Sequence, residues 1–359
     1  MKENVGIGII GTGFARRVQI PVFLSCERAE VVSVASGSLA NAAATAQEFG
    51  IAHFTDDWRK TVSHPDVDLV CITTPPNLHL EMTLFAIEHG KHVLCEKPMA
   101  MNIAEAESML AAARRASVLT LIDHELRFLP NRRRALAMLK GGEIGKIRHT
   151  KYNFRAPHRG DPNLPWNWWS DIKQGGGALG AIASHVIDSF HWFMGVGVEE
   201  VFCRLHTNVK RRPFEGSLRE VTTDDEANMI LRFSSGDYVE DATGLVSISM
   251  VEMPEYQNRI EFFGTEGAMR IDEAGDLFIA RAGEKEWSRI EGEARRDIPG
   301  LPPGEFPQGF AHMAPMVIDA IRSGAKSVEN AADFRDGLMV QKVLDAARVS
   351  DACGRAVAV

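Results

Sequence analysis

The sequence has few cysteines and no pattern that would join them. Its five thiols show no C-x-x-C pair and no cysteine–histidine spacing suited to zinc; they are Cys26, Cys71, Cys95, Cys203 and Cys353. We therefore expect reduced, mostly buried thiols that behave as small apolar residues. No metal site is predicted.

Long apolar runs and an excess of basic residues are also absent. No stretch reaches the roughly 20 apolar residues of a membrane-spanning helix, and residues 1–4 lead into an apolar strand without a signal-peptide core. The formal net charge of −8 argues against a nucleic-acid surface, and the basic run at 132–134 is interpreted as a solvated helix face. We expect a cytoplasmic protein that binds a small molecule and neither nucleic acid nor membrane.

The residues that are present begin with a buried strand and a glycine turn. Residues 5–11 are mostly apolar, and the turn that follows leads into a helix. Glycines let the backbone approach a pyrophosphate, whose charge faces the amide groups and dipole of the helix. The predicted dinucleotide contacts here are Gly11, Thr12, Gly13, Phe14, Ala15 and Arg16. Arg16 replaces the third small residue of the G-x-G-x-x-G motif, so the motif is incomplete and an ordinary strand-to-helix turn is the alternative.

The second predicted strand, residues 29–36, lacks the acidic residue that binds the adenosine ribose in NAD-binding units. Ser36 takes that place, followed by Gly37 and Ser38. A carboxylate would repel a 2′-phosphate. Its absence therefore mildly favours NADP over NAD.

Strands and helices alternate up to residue 123, which predicts a doubly wound parallel sheet with ligands beyond the carboxyl ends of its strands. Two loops at such ends supply further candidate cofactor contacts, namely Thr73, Thr74, Pro75, Asn77, His79, Glu96 and Lys97. A lysine at this edge can hold a substrate oxygen and favour its deprotonated form. A surface lysine paired with Glu96 is the open alternative.

Beyond residue 123 the composition changes, and consecutive strands with short turns predict a largely antiparallel sheet. The expected fold class is α/β: a Rossmann domain over 1–123, then an α+β domain over 124–359 for substrate binding and oligomerisation. Two helices, at about 310–322 and 333–350, are expected to close the chain.

A glycine-opened helix at 175–195 carries the second candidate for chemistry. Its apolar residues recur at helical spacing, while Ala181, His185 and Asp188 lie on another face. Imidazole titrates near pH 6.5, so His185 can take a hydroxyl proton as hydride leaves the same carbon. Asp188 either orients a catalytic His185 or satisfies a structural one; both interpretations stay open.

Aromatic and polar residues nearby are candidates for substrate contact. Three tryptophans, Trp166, Trp168 and Trp169, either stack on the C–H faces of a sugar or belong to the core, and core is favoured for at least one. The polar candidates are Tyr152, Arg155, His158 and, at the domain junction, His124 and Arg127.

Together these motifs resemble the Gfo/Idh/MocA family, which includes glucose-fructose oxidoreductase and inositol dehydrogenase. The matching features, in order, are the glycine turn at 11–14, the TTPPNLH segment at 73–79, Glu96-Lys97-Pro98, and the glycine-opened helix with His185. The resemblance implies a Rossmann domain followed by an open, mainly antiparallel sheet through which subunits form a homodimer or homotetramer. It also implies NAD(P)-dependent oxidation or reduction of sugars, inositols or related compounds.

The resemblance further implies roles for single residues. Lys97 and His185 would contact the reacting hydroxyl group, and Glu96 would lie near the nicotinamide ribose. Many members carry an aspartate one turn before the histidine, where this chain has Ala181, so we expect Asp188 or another acid to compensate, or the chemistry to differ from simple alcohol oxidation. The alternatives to a dehydrogenase are an NAD-dependent enzyme that oxidises a glycoside and eliminates its aglycone, and a non-catalytic dinucleotide or sugar sensor.

Overall fold

Six residues, Val5–Ile10, form a strand buried on both faces at the centre of a seven-stranded sheet. The computed structural model describes residues 3–292 and 296–359 and places this sheet in unit 1, which consists of Met1–Leu129 and Arg295–Leu338. Its strands are β1 Val5–Ile10, β2 Ala29–Ala35, β3 His53–Thr55, β4 Leu69–Ile72, β5 His92–Cys95, β6 Thr120–Ile122 and β17 Ala332–Asp333.

The strand order of this sheet is β17-β6-β5-β4-β1-β2-β3. All neighbouring strands are parallel except β17, which runs antiparallel to β6. This order is that of a doubly wound dinucleotide-binding sheet, which confirms the predicted fold. The helices of unit 1 are α1 Ile20–Leu24, α2 Leu39–Phe49, α3 Trp58–Val62, α4 His79–Glu88, α5 Ile103–Arg115 and α8 Glu305–Ser323.

The segment that carries α8 and β17 lies in unit 1, whereas the expected domain boundary at residue 123 places it in the second domain. The apolar face of α8 buries Phe310, Met313 and Val317 in the core of unit 1, where the ring of Phe310 meets that of Phe23 edge to face at 5.3 Å. Because β17 also extends the parallel sheet, Arg295–Leu338 belongs to the Rossmann unit although it comes late in the chain.

Unit 2, Pro130–Ala294 with Met339–Val359, is built on a nine-stranded sheet of order β16-β15-β14-β13-β7-β12-β11-β8-β18. Its strands are β7 Ile147–Arg155, β8 Val198–His206, β11 Glu226–Phe233, β12 Val239–Ser249, β13 Gln257–Gly264, β14 Gly267–Ile271, β15 Leu277–Arg281, β16 Ser288–Ile290 and β18 Val357–Ala358. Only the pairing of β7 with β12 is parallel among these strands. The helices are α6 Pro130–Lys140, α7 Ser184–Met194 and α9 Phe334–Cys353, which begins in unit 1.

The two faces of the large sheet differ. On one face, α7 packs Phe190 against Phe233 and Phe193 against Phe262, with ring centroids 5.6 and 5.0 Å apart. On the other face, the cross-strand neighbours Ile230 and Leu245 are 55% and 45% exposed. The predicted open, mainly antiparallel sheet is confirmed.

Two expectations about surface and core residues in unit 2 are wrong. In the basic run at 132–134, Arg132 is 1% exposed and donates to Ser189 Oγ and the Tyr152 hydroxyl, so this arginine is not part of a solvated face. None of the three clustered tryptophans is fully buried. Trp166 lies against a separate hairpin, β9 Arg211–Phe214 and β10 Ser217–Glu220, that the sequence pattern did not predict.

Within the described ranges, no helix is both long enough and apolar enough to cross a membrane.

Candidate functional site

The glycine turn after β1 is held tightly against the loop after β4. Gly11 has a φ of +98°, and a Cβ added there would lie 2.5 Å from Thr73 O. The Thr73 hydroxyl donates to Ile10 O at 2.9 Å and Gly11 O at 2.8 Å. Among the described residues beyond its chain neighbours, an added Cβ at Gly13 would meet nothing within 4 Å, so this part of the turn faces open space.

The chain leaves this turn through a π-helical segment, Ala15–Gln19. Ala15 is buried, whereas Arg16 is exposed and its Nε donates to Glu48 Oε2 on α2 at 2.6 Å. Arg16, which takes the third small-residue position of the motif, therefore projects outward. Its side chain does not lie between the helix and the sheet. Phe14 packs at the edge of the core.

Hydroxyl groups occupy the place where an adenosine ribose is expected. Thr12 Oγ1 and Ser36 Oγ lie 3.3 Å apart, and Ser36 directly follows β2. Ser38 caps α2 by accepting a hydrogen bond from Asn41 N at 3.5 Å, and no acidic residue lies in the first turn of α2. The amino end of α2 is therefore available to a negative group.

His79 has a different role from the predicted cofactor contact. Its imidazole is fully buried, with Nδ1 3.1 Å from Pro98 O and Nε2 2.9 Å from Thr74 O. Burial lowers the pKa of His79. Because both ring nitrogens lie against backbone carbonyl groups, the side chain links the 73–79 loop to the loop that carries Lys97. Asn77, in contrast, is exposed on that loop.

The Glu96-Lys97-Pro98 segment directly follows β5, and its Lys97–Pro98 peptide bond is cis. Glu96 lies beside Asp123, the residue after β6, and Gln19 Nε2 donates to Asp123 Oδ2 at 2.9 Å. Burial raises the pKa of both carboxyl groups. Lys97 thus stands next to an acid pair, of which Asp123 is fully buried, at the carboxyl edge of the parallel sheet.

At the end of the first part of unit 1, Arg127 is only 6% exposed, and its Nη1 donates to Asp336 Oδ2 at 3.3 Å. His124 and Glu125 beside it are also buried. The guanidinium of Arg127, predicted to contact substrate, is thus paired with an acid of its own unit.

In unit 2, the buried Asp224 accepts a backbone hydrogen bond from the first residue of the segment that leads to His185. Asp224 Oδ2 accepts a hydrogen bond from Leu179 N at 2.6 Å, and burial raises the pKa of Asp224 to about 6. Gly177, at a φ of +105°, allows this approach, because an added Cβ would lie 2.5 Å from Asp224 Oδ1. A π-helical turn, Leu179–Ala183, then precedes α7, on which His185 is buried at 3% exposure.

The remaining substrate candidates of unit 2 lie in different surroundings. Asp188 is buried on α7. Tyr152 is buried and donates to Asn258 Oδ1 at 2.6 Å, so its hydroxyl belongs to a core network rather than to a polyol contact. His158 is exposed, with its pKa lowered by desolvation and by Arg159, and Trp168 is 36% exposed.

The described residues contain no cluster of three or more histidine, cysteine or acidic side chains that could hold a metal ion. Four cysteines are buried and Cys353 is exposed, and all five thiols are free.

Comparison with known proteins decides the family. Residues 5–124 match the model described as an oxidoreductase family with an NAD-binding Rossmann fold, and residues 133–270 match the GFO/IDH/MocA C-terminal domain. The chain belongs to the Gfo/Idh/MocA family. It is therefore an oxidoreductase with the NAD-binding fold of that family, as the motifs predicted.

Two relatives and one solved structure are similar to most of the chain. An uncharacterized oxidoreductase of Synechocystis is 31% identical over 269 residues, which cover 74% of this chain and 71% of the relative. Levoglucosan dehydrogenase of Pseudarthrobacter phenanthrenivorans is 28% identical over 388 residues, covering 96% and 95%. A structure of levoglucosan dehydrogenase in complex with NADH and L-sorbose superposes with a TM-score of 0.89, with 28% identity and coverage of 100% of this chain and 99% of that chain.

Two residues at the carboxyl edge of the sheet, Gln19 and Asp123, were not predicted as site residues. Gln19 lies in a helical segment that reads as core. Asp123 directly follows a short apolar strand, as Glu96 does, and this placement is the signal that would have identified it.

Proposed function

We propose that this protein is an NAD(P)-dependent dehydrogenase that acts on a secondary alcohol, or the corresponding ketone, of a sugar, inositol or sugar derivative. The observation that carries the proposal is the glycine turn clamped by Thr73, with open space over Gly13, at the same sheet edge as Lys97. The similarity over nearly the full length to a levoglucosan dehydrogenase supports a carbohydrate substrate.

The residues proposed to hold the dinucleotide all belong to unit 1. The backbone of Gly11, Gly13 and the following residues would bind the pyrophosphate, and Ser36 with Thr12 would bind the adenosine ribose. Thr74 and Glu96 would line the nicotinamide end. The chemistry that the dinucleotide supplies when bound is the acceptance or donation of a hydride.

Two side chains are proposed to act on the substrate. Lys97 would hold the reacting oxygen and stabilise its negative charge, because an ammonium group is a compact point charge. His185 would take the hydroxyl proton while the hydrogen on the same carbon leaves with both electrons of the C–H bond as hydride, which yields a ketone and an imidazolium group. In the reverse direction His185 would return that proton to the alcohol oxygen.

The test is a spectrophotometric screen for reduction of NAD⁺ and NADP⁺ with sugars, anhydrosugars and inositols, beginning with levoglucosan, L-sorbose and myo-inositol. We expect at least one secondary alcohol of this class to be oxidised. Dinucleotide that stays bound through turnover while a glycoside is cleaved would favour the oxidation–elimination alternative. The absence of dinucleotide binding would favour a sensor.

We predict a mild preference for NADP over NAD, by about threefold to tenfold in dissociation constant, since no carboxylate follows β2 to repel a 2′-phosphate. Arg16 is engaged by Glu48, so the amides of α2 and the Ser36 hydroxyl would meet that phosphate. Fluorescence titration with NADPH and NADH checks this. Ser36→Asp should weaken NADPH binding and spare NADH. Equal weakening of both would show that position 36 does not face the 2′ position.

We propose that the exposed sheet face of unit 2 joins subunits into a homodimer or homotetramer. The paired, exposed Ile230 and Leu245 support this proposal, because apolar neighbours on a sheet face favour burial. Light scattering of the purified protein should give a mass of at least two chains, and Ile230→Lys should lower it. A monomer at micromolar concentration would contradict the proposal.

A further inference from the structure

Two carboxyl groups meet at the carboxyl ends of neighbouring strands in unit 1. The amides of Glu96 and Asp123 donate to Ile72 O at 2.9 Å and Cys95 O at 2.8 Å, so the sheet fixes both backbones. Gln19 Nε2 donates to Asp123 Oδ2 at 2.9 Å and lies 3.4 Å from Glu96 Oε1. The two carboxyl groups therefore lie against the same amide nitrogen.

A hydrogen bond between two carboxyl groups requires a proton, because ionised carboxylates are acceptors only. Asp123 Oδ1 is buried, and within the described part of the chain no N–H or hydroxyl group donates to it. A carboxyl proton shared with Glu96 would supply the missing donor. Burial raises the pKa of both groups, as expected for a pair that keeps one proton and carries one negative charge.

Other ionisable groups face the pair from the adjoining elements. The charge of Lys97 lowers the pKa of Glu96, and the charge of Glu125 raises that of Asp123. The thiols of Cys71 on β4 and Cys95 on β5 are neutral, because burial raises the pKa of each. Lys97 is therefore the positive charge that balances the single negative charge of the pair.

We propose that Glu96 and Asp123 share one proton as a unit and release it when the oxidised dinucleotide binds. This inference rests on the proposed function, specifically on Glu96 lying near the nicotinamide ribose. The oxidised nicotinamide ring is positively charged and the reduced ring is neutral, so only the oxidised form attracts a second negative charge on the pair. Asp123 is then a positioning residue that acts on the cofactor through Glu96. A rise in pH shifts the preference of the protein towards the oxidised form.

Proton counting on binding tests the proposal. Calorimetric titration with oxidised and with reduced dinucleotide, each in two buffers of different ionisation enthalpy between pH 7 and 9, gives the number of protons released. We expect release of a fraction of one proton with the oxidised form and none with the reduced form. The ratio of the two dissociation constants, reduced over oxidised, should rise with pH by at most about tenfold per unit, the limit for one linked proton.

Three variants assign the proton. Asp123→Asn and Glu96→Gln each leave the pair with a single carboxyl group. Each variant should therefore abolish the proton release and flatten the pH dependence of the ratio of dissociation constants. Asp224→Asn replaces another buried aspartate, in unit 2, and should behave as the unmodified protein does. Release that persists in Asp123→Asn would assign the proton to another group, such as Lys97 or His185, and overturn the proposal.

A measurement on the unmodified protein keeps the proposal testable if the variants fail to fold. Infrared difference spectra should show the carbonyl stretch of a protonated carboxyl group in the free protein near pH 7.5, and its loss when the oxidised dinucleotide is added. Binding without this loss and without proton release would overturn the shared proton alone. A lack of binding by either dinucleotide would overturn the proposed function as well.

Discussion

Replacing Lys97 with methionine, or His185 with asparagine, should each lower kcat by about 10²–10⁴-fold, the range expected for loss of a general acid–base or oxyanion-stabilising group. In His185→Asn the affinity for the dinucleotide should change by no more than about threefold, because the proposed role of His185 is on the substrate and not on the cofactor. Steady-state kinetics with the alcohol identified by the substrate screen, together with dinucleotide titration, measures both quantities.

Each of these two residues has a matched control nearby in the sequence. Lys91 precedes β5 as Lys97 follows it, and its ammonium group donates to Val67 O at 2.7 Å on the opposite edge of the sheet. His191 lies on α7 with His185. Lys91→Met and His191→Asn should keep kcat within about threefold if they fold. Full turnover in Lys97→Met and His185→Asn would remove both residues from the chemistry.

The second large effect concerns the glycine turn, where two substitutions of the same size should fail in different ways. Gly11→Ala should destabilise the protein by roughly 2–4 kcal/mol, since the left-handed backbone and the contact with Thr73 O both oppose a Cβ. Gly13→Ala should change the stability by about 1 kcal/mol at most, because no described residue beyond the chain neighbours lies within 4 Å of the added atom. It should still weaken dinucleotide binding by tenfold or more, since the pyrophosphate would meet the new methyl group.

Thermal or urea unfolding and dinucleotide titration of the two variants separate these effects. Both variants are needed, because a variant that loses stability and dinucleotide binding together does not show whether the dinucleotide contacts the substituted residue. Unaltered binding in a folded Gly13→Ala protein would show that the pyrophosphate does not pass over this turn.

The sequence predicted the parts of the fold that depend on local pattern. Three local features indicated the parallel sheet, namely the apolar run at 5–10, the glycine turn, and the alternation of strands and helices. Each of them consists of residues that are consecutive in the chain. The same holds for β7, β11 and β12 and for the helix that carries His185. The motif order then indicated the family.

The features that the sequence did not predict depend on partners distant in the chain. The packing of α8 on the Rossmann core requires Phe23 and Phe310 to meet, and no local period shows this. Arg132, Tyr152 and His79 look like surface or ligand-binding residues in isolation, yet each is buried because polar partners elsewhere in its unit satisfy it. The pairing of Glu96 with Asp123 likewise appears only when β5 and β6 lie side by side.

The late return of Arg295–Leu338 to unit 1 has a consequence for the nascent protein on the ribosome. Translation must complete all of Pro130–Ala294 before α8 and β17 emerge. At about 5–20 residues per second, the first half of the Rossmann unit waits on the order of ten seconds or longer with the edge of β6 unpaired and the apolar patch around Phe23 uncovered. During that interval the growing chain exposes apolar surface of the kind that chaperones bind.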